Sequence, residues 1–186
     1  LTPFLLLNEM LKSYNSFLLL AIPFFMLAAN LMNAAGITEK LINLAKVLVG
    51  WLPGGLGHVS VLVSMLFAGI SGSSTAEAAG VGGVLIPAMK KQGYDTEFAV
   101  SLVACAAVMG VIIPPSILMV VWGGVISVSI GGLFLAGVLP GLMMALSFMV
   151  VVYIYAKRRN YPVYPRPTSS ELLSAVAHAI LPILTP

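Results

Sequence analysis

Apolar residues fill three long stretches of the chain in which no charged side chain occurs. These uncharged runs cover residues 13–38, 47–76 and 98–156, and each exceeds the roughly 20 residues that a helix needs to cross a bilayer. A membrane offers no water to exposed backbone groups, so such runs favour helices, which satisfy those groups internally. The pattern predicts an all-α integral membrane protein.

The runs do not all have the form of simple membrane-crossing helices. After a first span, Ile37, Leu41, Leu44 and Leu48 fall at helical spacing with charged residues on the rest of the helix, which predicts an amphipathic helix in the membrane interface. The whole pattern predicts six segments: a membrane helix region at 1–36, an interfacial amphipathic helix at 37–52, a re-entrant hairpin at 53–92, a broken transmembrane helix at 93–130, a transmembrane helix at 131–159, and a cytoplasmic linker with the start of a second amphipathic helix at 160–186.

The hairpin prediction rests on helix length. Residues 57–70 would span about 21 Å and residues 74–89 about 24 Å as helices, less than a hydrocarbon core of about 30 Å. Between them lies a polar tip, GISGSSTAEAAG, at 69–80. Two short helices joined by such a tip are typical of a hairpin that enters the membrane and returns to the same side.

The run at 98–156 contains a second interruption. One helix over 98–130 would be about 50 Å long, and Pro114-Pro115 in its middle removes two backbone donors. The sequence therefore predicts a helix broken at mid-membrane. Basic residues at 90–91 and 157–159 orient the hairpin base and the end of the last span toward the cytoplasm, where membrane proteins carry an excess of Lys and Arg.

These two interruptions are the candidate site, because irregular backbone at membrane depth is tolerated where protein buries it or where it lines a cavity. Helix ends near 69–71 and 111–113 would present free carbonyls, which suit Na⁺. The helices that begin near Ser74 and Pro115 would direct amides and positive dipole ends at the same region, which suits a carboxylate. Discontinuous helices of this kind are typical of secondary transporters. Hydroxyl groups add further ligands: Ser73, Ser74, Thr75 and Ser116.

Each candidate also has a structural interpretation. Pro114-Pro115 would form a simple kink, and Ser116 would bond back to a freed carbonyl. Glu77 fits a capping box with Ser74 as the N-cap, but an acid at membrane depth is also a candidate for an ion or proton role. The residues alone leave these alternatives open. Small residues of the hairpin would also permit close helix packing: Gly69, Gly72 and Gly80.

Composition narrows the function classes. Of the 186 residues, 8% are charged, against about 25% in soluble domains. The net charge of +3 comes from basic residues spread between membrane segments, so it does not indicate nucleic-acid binding. A single cysteine, Cys105, excludes a disulfide framework. An intramembrane serine protease would need a base at the depth of its serine, whereas both histidines lie near predicted interfaces, which argues against this enzyme class. A channel would not need the broken helix, which argues against a channel.

Three strings resemble one transporter family. They are AIPFFMLAANLMNAAGITEKL at 21–41, GISGSSTAEAAGVGGVLIPAMKKQGYD at 69–95, and IIPPSILMVVWGG followed by SIGGLFLAGVLPGL at 112–142. In this order and spacing they resemble the large membrane subunit of tripartite ATP-independent periplasmic (TRAP) transporters, the DctM type. The resemblance covers nearly the whole chain.

This resemblance implies an elevator-type ion transporter built from inverted repeats, with the first repeat in this chain. Residues 1–36 would then belong to the scaffold and 37–52 would be the first arm helix. The implied function is Na⁺-coupled uptake of organic acids, such as C4-dicarboxylates or sialic acids, delivered by a periplasmic binding protein. The implied partners are that protein, a small membrane subunit and the lipid bilayer of a bacterial or archaeal inner membrane. We expect no enzymatic activity and no cofactor besides the coupling ion.

The resemblance also places a Na⁺ and substrate site between the hairpin tip and the helix break. Leu118 and Trp122 depart from the family pattern, which often has Pro and Tyr there. We expect a fragment of a longer protein, with the second repeat outside it. A related elevator-type carboxylate transporter without a binding protein is the alternative. The matching tip positions are Gly72, Ser73, Ser74, Thr75 and Glu77, and the matching break positions are Gly110, Ile113, Pro114, Pro115 and Ser116.

Overall fold

The computed structural model describes residues 34–183 continuously, and before them only short stretches at 3–4, 7–8, 11, 23–24, 26–28 and 30–31. The predicted membrane helix region at 1–36 therefore lies largely outside the described residues. Within 34–183 the chain contains no β-strand, in agreement with the all-α prediction. Its helices are α1 Ile37–Val49, α2 Gly55–Ser71, α3 Ser74–Lys91, α4 Thr96–Ala107, α5 Ile117–Val125, α6 Ile130–Arg159 and α7 Ser169–Ile183.

Helices α2 and α3 form a helical hairpin with a two-residue turn. Gly72 ends α2 with a left-handed backbone, φ 60°, and Ser73 is already the N-cap of α3. The 17 residues of α2 and the 18 residues of α3 correspond to about 26 Å and 27 Å. Both helices are shorter than a hydrocarbon core of about 30 Å.

The interruption predicted at Pro114-Pro115 separates α4 from α5. Helix α4 passes into a 3₁₀ turn, Val108–Val111, and helical structure resumes only after Ser116, the N-cap of α5. The Pro114-Pro115 peptide bond is cis. Proline donates no backbone hydrogen bond and disfavours helical backbone in the residue before it, so the local sequence explains where this helix stops.

Helix α6 is the one helix among the described residues that is long and apolar enough to cross a membrane by itself. Its 30 residues correspond to about 45 Å. Near its C-terminal end it packs against the start of α2, where Gly54 and Gly57 approach it closely. A Cβ on Gly54 would lie 2.6 Å from the Ala156 side chain, and a Cβ on Gly57 would lie 2.7 Å from Val152.

Helix α2 is central, because 14 of its 17 residues are buried. Helix α1 packs on α2 and on α7, with Leu41 and Ala45 fully buried. Contacts within the protein therefore cover the apolar face of α1, the face on which the prediction of an interfacial helix rests. The apolar cluster around α2 includes Leu41 and Ala45 of α1, Leu56, Val59, Val63 and Phe67 of α2, Leu85 and Met89 of α3, Leu102 and Ala106 of α4, and Val152 of α6.

The connection from α6 to α7 is attached to the base of the hairpin. Asp95, just before α4, pairs with Arg159 and accepts a hydrogen bond from the Tyr161 hydroxyl. Further along, Tyr164 accepts a 2.6 Å hydrogen bond from the Gln92 side-chain amide at the end of α3. These contacts hold the ends of α3, α4 and α6 together, at the end of the bundle that carries the basic residues.

Candidate functional site

The hairpin tip is organised by Ser73. Its hydroxyl accepts a 3.4 Å hydrogen bond from the Ala76 amide and lies 3.0 Å from the Thr75 hydroxyl. Its carbonyl accepts from the Glu77 amide at 3.1 Å. Ser71, just before the turn, is buried and bonds to the Ser73 backbone at 3.4 Å. The tip thus holds its hydroxyl groups in fixed positions.

The capping box predicted for Ser74 and Glu77 is wrong by one residue. Ser73, not Ser74, is the N-cap, which moves Glu77 one position beyond the place from which a side chain reaches back to the N-cap amide. The carboxyl oxygens of Glu77 accept no hydrogen bond. Glu77 therefore does not cap α3, and the capping interpretation of this acid is wrong.

Glu77 is fully buried, with 0% of its surface exposed. The Ser64 hydroxyl interacts with its carboxyl without reaching hydrogen-bond geometry. On another side the carboxyl meets the backbone of Gly110, where an added Cβ would lie 2.6 Å from Oε2. An unpaired buried carboxylate is costly, so this carboxyl is stable when it is protonated or when a cation neutralises it.

The hairpin tip and the helix break are in direct contact. The Gly72 carbonyl accepts a 3.2 Å hydrogen bond from the Ile117 amide at the start of α5. A Cβ on Gly72 would lie 2.7 Å from the Pro115 carbonyl oxygen, and a Cβ on Gly69 would lie 3.6 Å from the Pro114 carbonyl oxygen. Two segments about 40 residues apart in the sequence, which the hydrophobic pattern singles out independently, therefore meet in the structure.

Ser116 holds the break together. It is fully buried, donates a 2.8 Å hydrogen bond to the Val111 carbonyl, and accepts one of 3.3 Å from the Met119 amide. The back-bonding interpretation of this serine is thus confirmed. The Val111 carbonyl, which the sequence predicts to be free, has a partner.

The Ile112 carbonyl and the Ile113 side chain face α6. A Cβ on Gly137 would overlap the Ile112 carbonyl oxygen, and a Cβ on Gly141 would overlap the Ile113 side chain. The Ile113 side chain therefore packs toward α6, away from the hairpin tip. Of the break positions, Gly110, Pro114 and Pro115 lie against the hairpin.

Oxygen atoms converge beside Gly110. The position that a Cβ would take there lies 2.6 Å from Glu77 Oε2 and 3.3 Å from the Ser73 carbonyl oxygen. Among the described residues, His, Cys, Asp and Glu form no group of three or more that would hold a metal ion. A carboxylate oxygen with a carbonyl oxygen suits a hard cation better than a transition metal.

Comparison with known proteins identifies the family. Residues 2–186 match the family described as "Tripartite ATP-independent periplasmic transporter, DctM component". The chain belongs to this family. It is 44% identical over 96% of its length to the sialic acid TRAP transporter large permease protein SiaM of Vibrio cholerae. It is 43% identical over 87% of its length to the C4-dicarboxylate permease DctM of the same species.

A third relative is the 2,3-diketo-L-gulonate TRAP transporter large permease protein YiaN of Escherichia coli, 38% identical over 96% of the chain. The chain spans 42%, 36% and 42% of the length of these three permeases, so it covers less than half of each. They are named as transporter permeases rather than enzymes. Membership of this family makes the chain part of a membrane protein.

Sequence reasoning missed two parts of the site in this TRAP permease chain. One is Ser64, and the other is the pair Gly137 and Gly141 on α6. A signal for Ser64 exists, because Ser60, Ser64 and Ser71 are polar residues at helical spacing within an otherwise apolar helix. The α6 pair forms a G-x-x-x-G spacing, which indicates a close helix contact, but the spacing does not identify the partner.

Proposed function

We propose that the complete protein is the large permease of a TRAP transporter that couples Na⁺ influx to the uptake of an organic acid. A periplasmic binding protein would deliver the acid, and a small membrane subunit would complete the system in the inner membrane of a bacterium or archaeon. The observation that carries the proposal is the contact between the hairpin tip and the helix break, with the buried Glu77 carboxyl, which makes no hydrogen bond of regular geometry, beside Gly110.

The cation would bind beside Gly110. When ionised, the Glu77 carboxyl would supply a negative charge beside Gly110, and the Ser73 carbonyl oxygen lies 3.3 Å from the position that a Cβ on Gly110 would take. A bound Na⁺ would offset the cost of burying the carboxylate. Ser74 and Thr75, on the first turn of α3, lie close enough along the chain to complete the shell, together with Pro114 and Pro115 across the break.

The substrate carboxylate would bind at the N-terminus of α3. Of its first four amides, those of Ala76 and Glu77 bond to Ser73, which leaves the amides of Ser74 and Thr75 for an anion. At the corresponding end of α5, the Ile117 amide bonds to the Gly72 carbonyl and Ser116 caps the Met119 amide, which leaves one of its first three amides, that of Leu118, for an anion. This difference favours α3 over α5 as the carboxylate-binding end.

The hairpin would be re-entrant and would open to the cytoplasm. Both of its helices are shorter than the hydrocarbon core is thick, and Lys90 and Lys91 lie at its base. In an elevator mechanism the hairpin and broken helix would move across the membrane together, and the hydrogen bond between Gly72 and Ile117 supports a common unit. The names of the relatives support a substrate among sialic acids, C4-dicarboxylates, diketogulonate and similar anions.

Thermal unfolding of the full-length subunit in detergent tests the cation site. Unfolding would be followed in NaCl and in choline chloride at equal ionic strength. We expect stabilisation specific to Na⁺, about 2.7 kcal/mol at a concentration 100 times the dissociation constant. Glu77→Gln should remove this stabilisation, whereas Glu97→Gln, an exposed acid at the start of α4, should keep it. Equal responses of the two variants would contradict the assignment of the cation to Glu77.

Uptake into liposomes tests the transport function itself. The permease, its small subunit and its binding protein would be reconstituted, and labelled sialic acid, succinate and 2,3-diketo-L-gulonate would be supplied outside. We expect one of these classes to accumulate only with an inward Na⁺ gradient and with the binding protein present. Accumulation without the binding protein would favour the related elevator-type transporter instead.

A further inference from the structure

Helix α6 contacts both sides of the helix break through one residue, Gly137. The Cα of Gly137 lies against the Ile112 carbonyl, which precedes the prolines, and against Met119, which follows them in α5. One turn later, Gly141 lies against the Ile113 side chain. These two glycines therefore form the part of the α6 surface that packs against the break.

The same short segment contacts the hairpin on its other side. Pro115 reaches Gly72 at the tip, and Gly110 adjoins Glu77. The break is thus held between α6 and the hairpin, with backbone atoms in contact on both sides. Because backbone cannot move aside as a side chain can, the separation between α6 and the break also sets the separation between the break and the hairpin tip.

We propose that Gly137 is a specificity-determining residue, which positions the break so that the oxygen atoms where it meets the hairpin tip are spaced for Na⁺. This inference rests on the proposed Na⁺ coupling and adds to it a residue that does not itself touch the ion. Selectivity between cations follows from cavity size and from the rigidity of the ligands. A residue that fixes the distance between two ligand-bearing backbones therefore acts on selectivity from outside the ligand shell.

A methyl group on Gly137 cannot be accommodated by a side-chain rotation alone, because it meets the Ile112 carbonyl oxygen as well as Met119. The break has to shift away from α6, and because its other side already lies against the hairpin, the shift presses Gly110 toward the Glu77 carboxyl and the Ser73 carbonyl. Ligands that are held closer together should favour Li⁺, the smaller ion, over Na⁺. Loss of packing alone would reduce the response to both cations and leave their ratio unchanged.

The experiment is a cation titration of the full-length protein by thermal unfolding in detergent, with LiCl, NaCl and choline chloride. In Gly137→Ala we expect the ratio of Li⁺ affinity to Na⁺ affinity to rise by roughly fivefold or more, the lower end of typical couplings between sites. Gly131→Ala is the matched control on the same helix, because the nearest atom to its added methyl is Ser129 Oγ at 3.9 Å. Its ratio should equal that of the wild type.

A second variant keeps the test decisive if Gly137→Ala does not fold. The three atoms nearest to the new methyl in Gly141→Ala are Cγ1, Cδ1 and Cβ of the Ile113 side chain, so this variant should raise the same ratio by a smaller factor. Ile113→Ala removes Cγ1 and Cδ1, and the double variant should return the ratio to the wild-type value. A side-chain rescue is expected at Gly141 and not at Gly137, where the obstacle includes backbone.

The outcomes separate this inference from the proposed function. A wild-type Na⁺ response with an unchanged or lowered Li⁺ to Na⁺ ratio in both glycine variants would overturn the role of α6 and leave the cation site in place. A wild-type protein that responds to neither cation would overturn the Na⁺ site, and the selectivity role with it. A raised ratio in Gly137→Ala, with Gly131→Ala unchanged, supports the inference.

Discussion

Replacing Gly72 by alanine tests the contact that joins the two halves of the site. Gly72 has a left-handed backbone with φ 60°, which costs an L-residue about 1–2 kcal/mol. The new methyl would also lie 2.7 Å from the Pro115 carbonyl oxygen and 3.1 Å from the Ile117 amide nitrogen, a degree of overpacking that costs about 1–3 kcal/mol. The free energy of unfolding should therefore fall by about 2–5 kcal/mol, the sum of these two costs.

Gly93→Ala separates the two contributions. Gly93 has a similar left-handed backbone, φ 84°, but an added Cβ meets no atom within 4 Å. This control should lose only the conformational part, about 1–2 kcal/mol. The difference between the variants, about 1–3 kcal/mol, then measures the contact between the hairpin tip and the break.

The assay is an unfolding titration of the full-length permease in mixed micelles, followed by tryptophan fluorescence. Both variants and the wild type would be measured in NaCl and in choline chloride. Equal destabilisation by the two substitutions would refute the reasoning, because it would mean that no backbone atoms lie against Gly72 in the folded protein. Gly72→Ala should also weaken the Na⁺ response, since the methyl separates the tip from the break, whereas Gly93→Ala should preserve it.

Two further predictions concern Ser116 and Tyr94. Ser116→Ala removes the hydrogen bond to the Val111 carbonyl and the cap of α5, so it should lower the free energy of unfolding by about 1–2 kcal/mol. Ser147→Ala is the control, because the exposed Ser147 hydroxyl bonds within its own helix. An equal loss of stability in Ser147→Ala would contradict the role of Ser116. Burial raises the pKa of Tyr94 from 10.0 to about 12. The unfolded chain therefore releases this proton at lower pH than the folded protein does. The free energy of unfolding should fall by about 1 kcal/mol between pH 10 and pH 11. Tyr94→Phe should unfold like the wild type at pH 7 and should lose less stability above pH 10; an equally steep decline in the variant would refute the assignment.

Local sequence rules determine much of the fold. Charge-free runs predict helices, the glycine-serine cluster predicts a turn near residue 72, and Pro114-Pro115 predicts the end of α4. Each of these signals acts on the backbone within a few residues, so a single sequence is sufficient to find it. The length of α2 and the start of α3 follow in the same way, because Pro53 and the tip set these limits within a few residues.

Contacts between distant segments could not be predicted in this way. The hydrophobic pattern marks the tip and the break as unusual. The hydrogen bond between the Gly72 carbonyl and the Ile117 amide, however, depends on how three helices pack. The same limit explains the expectation of free carbonyls at 111–113. The Val111 carbonyl accepts a hydrogen bond from Ser116, and the Ile112 carbonyl faces Gly137 on α6. The N-cap error at Ser74 has a different cause, since adjacent serines make two capping registers nearly equivalent.

Packing explains most of the polar and small residues at this junction, but it does not explain Glu77. Gly72 and Gly137 permit close backbone contacts, and Ser116 satisfies a carbonyl and caps a helix. A buried carboxyl without a hydrogen bond stabilises nothing, and an apolar residue of similar volume would be less costly in the same place. The folding of the chain therefore supplies no reason for an acid here, whereas a role in binding a proton or the proposed cation would supply one. If Glu77→Gln left the protein equally stable in choline and abolished only the response to Na⁺, the acid would be assigned to the ion and not to the fold.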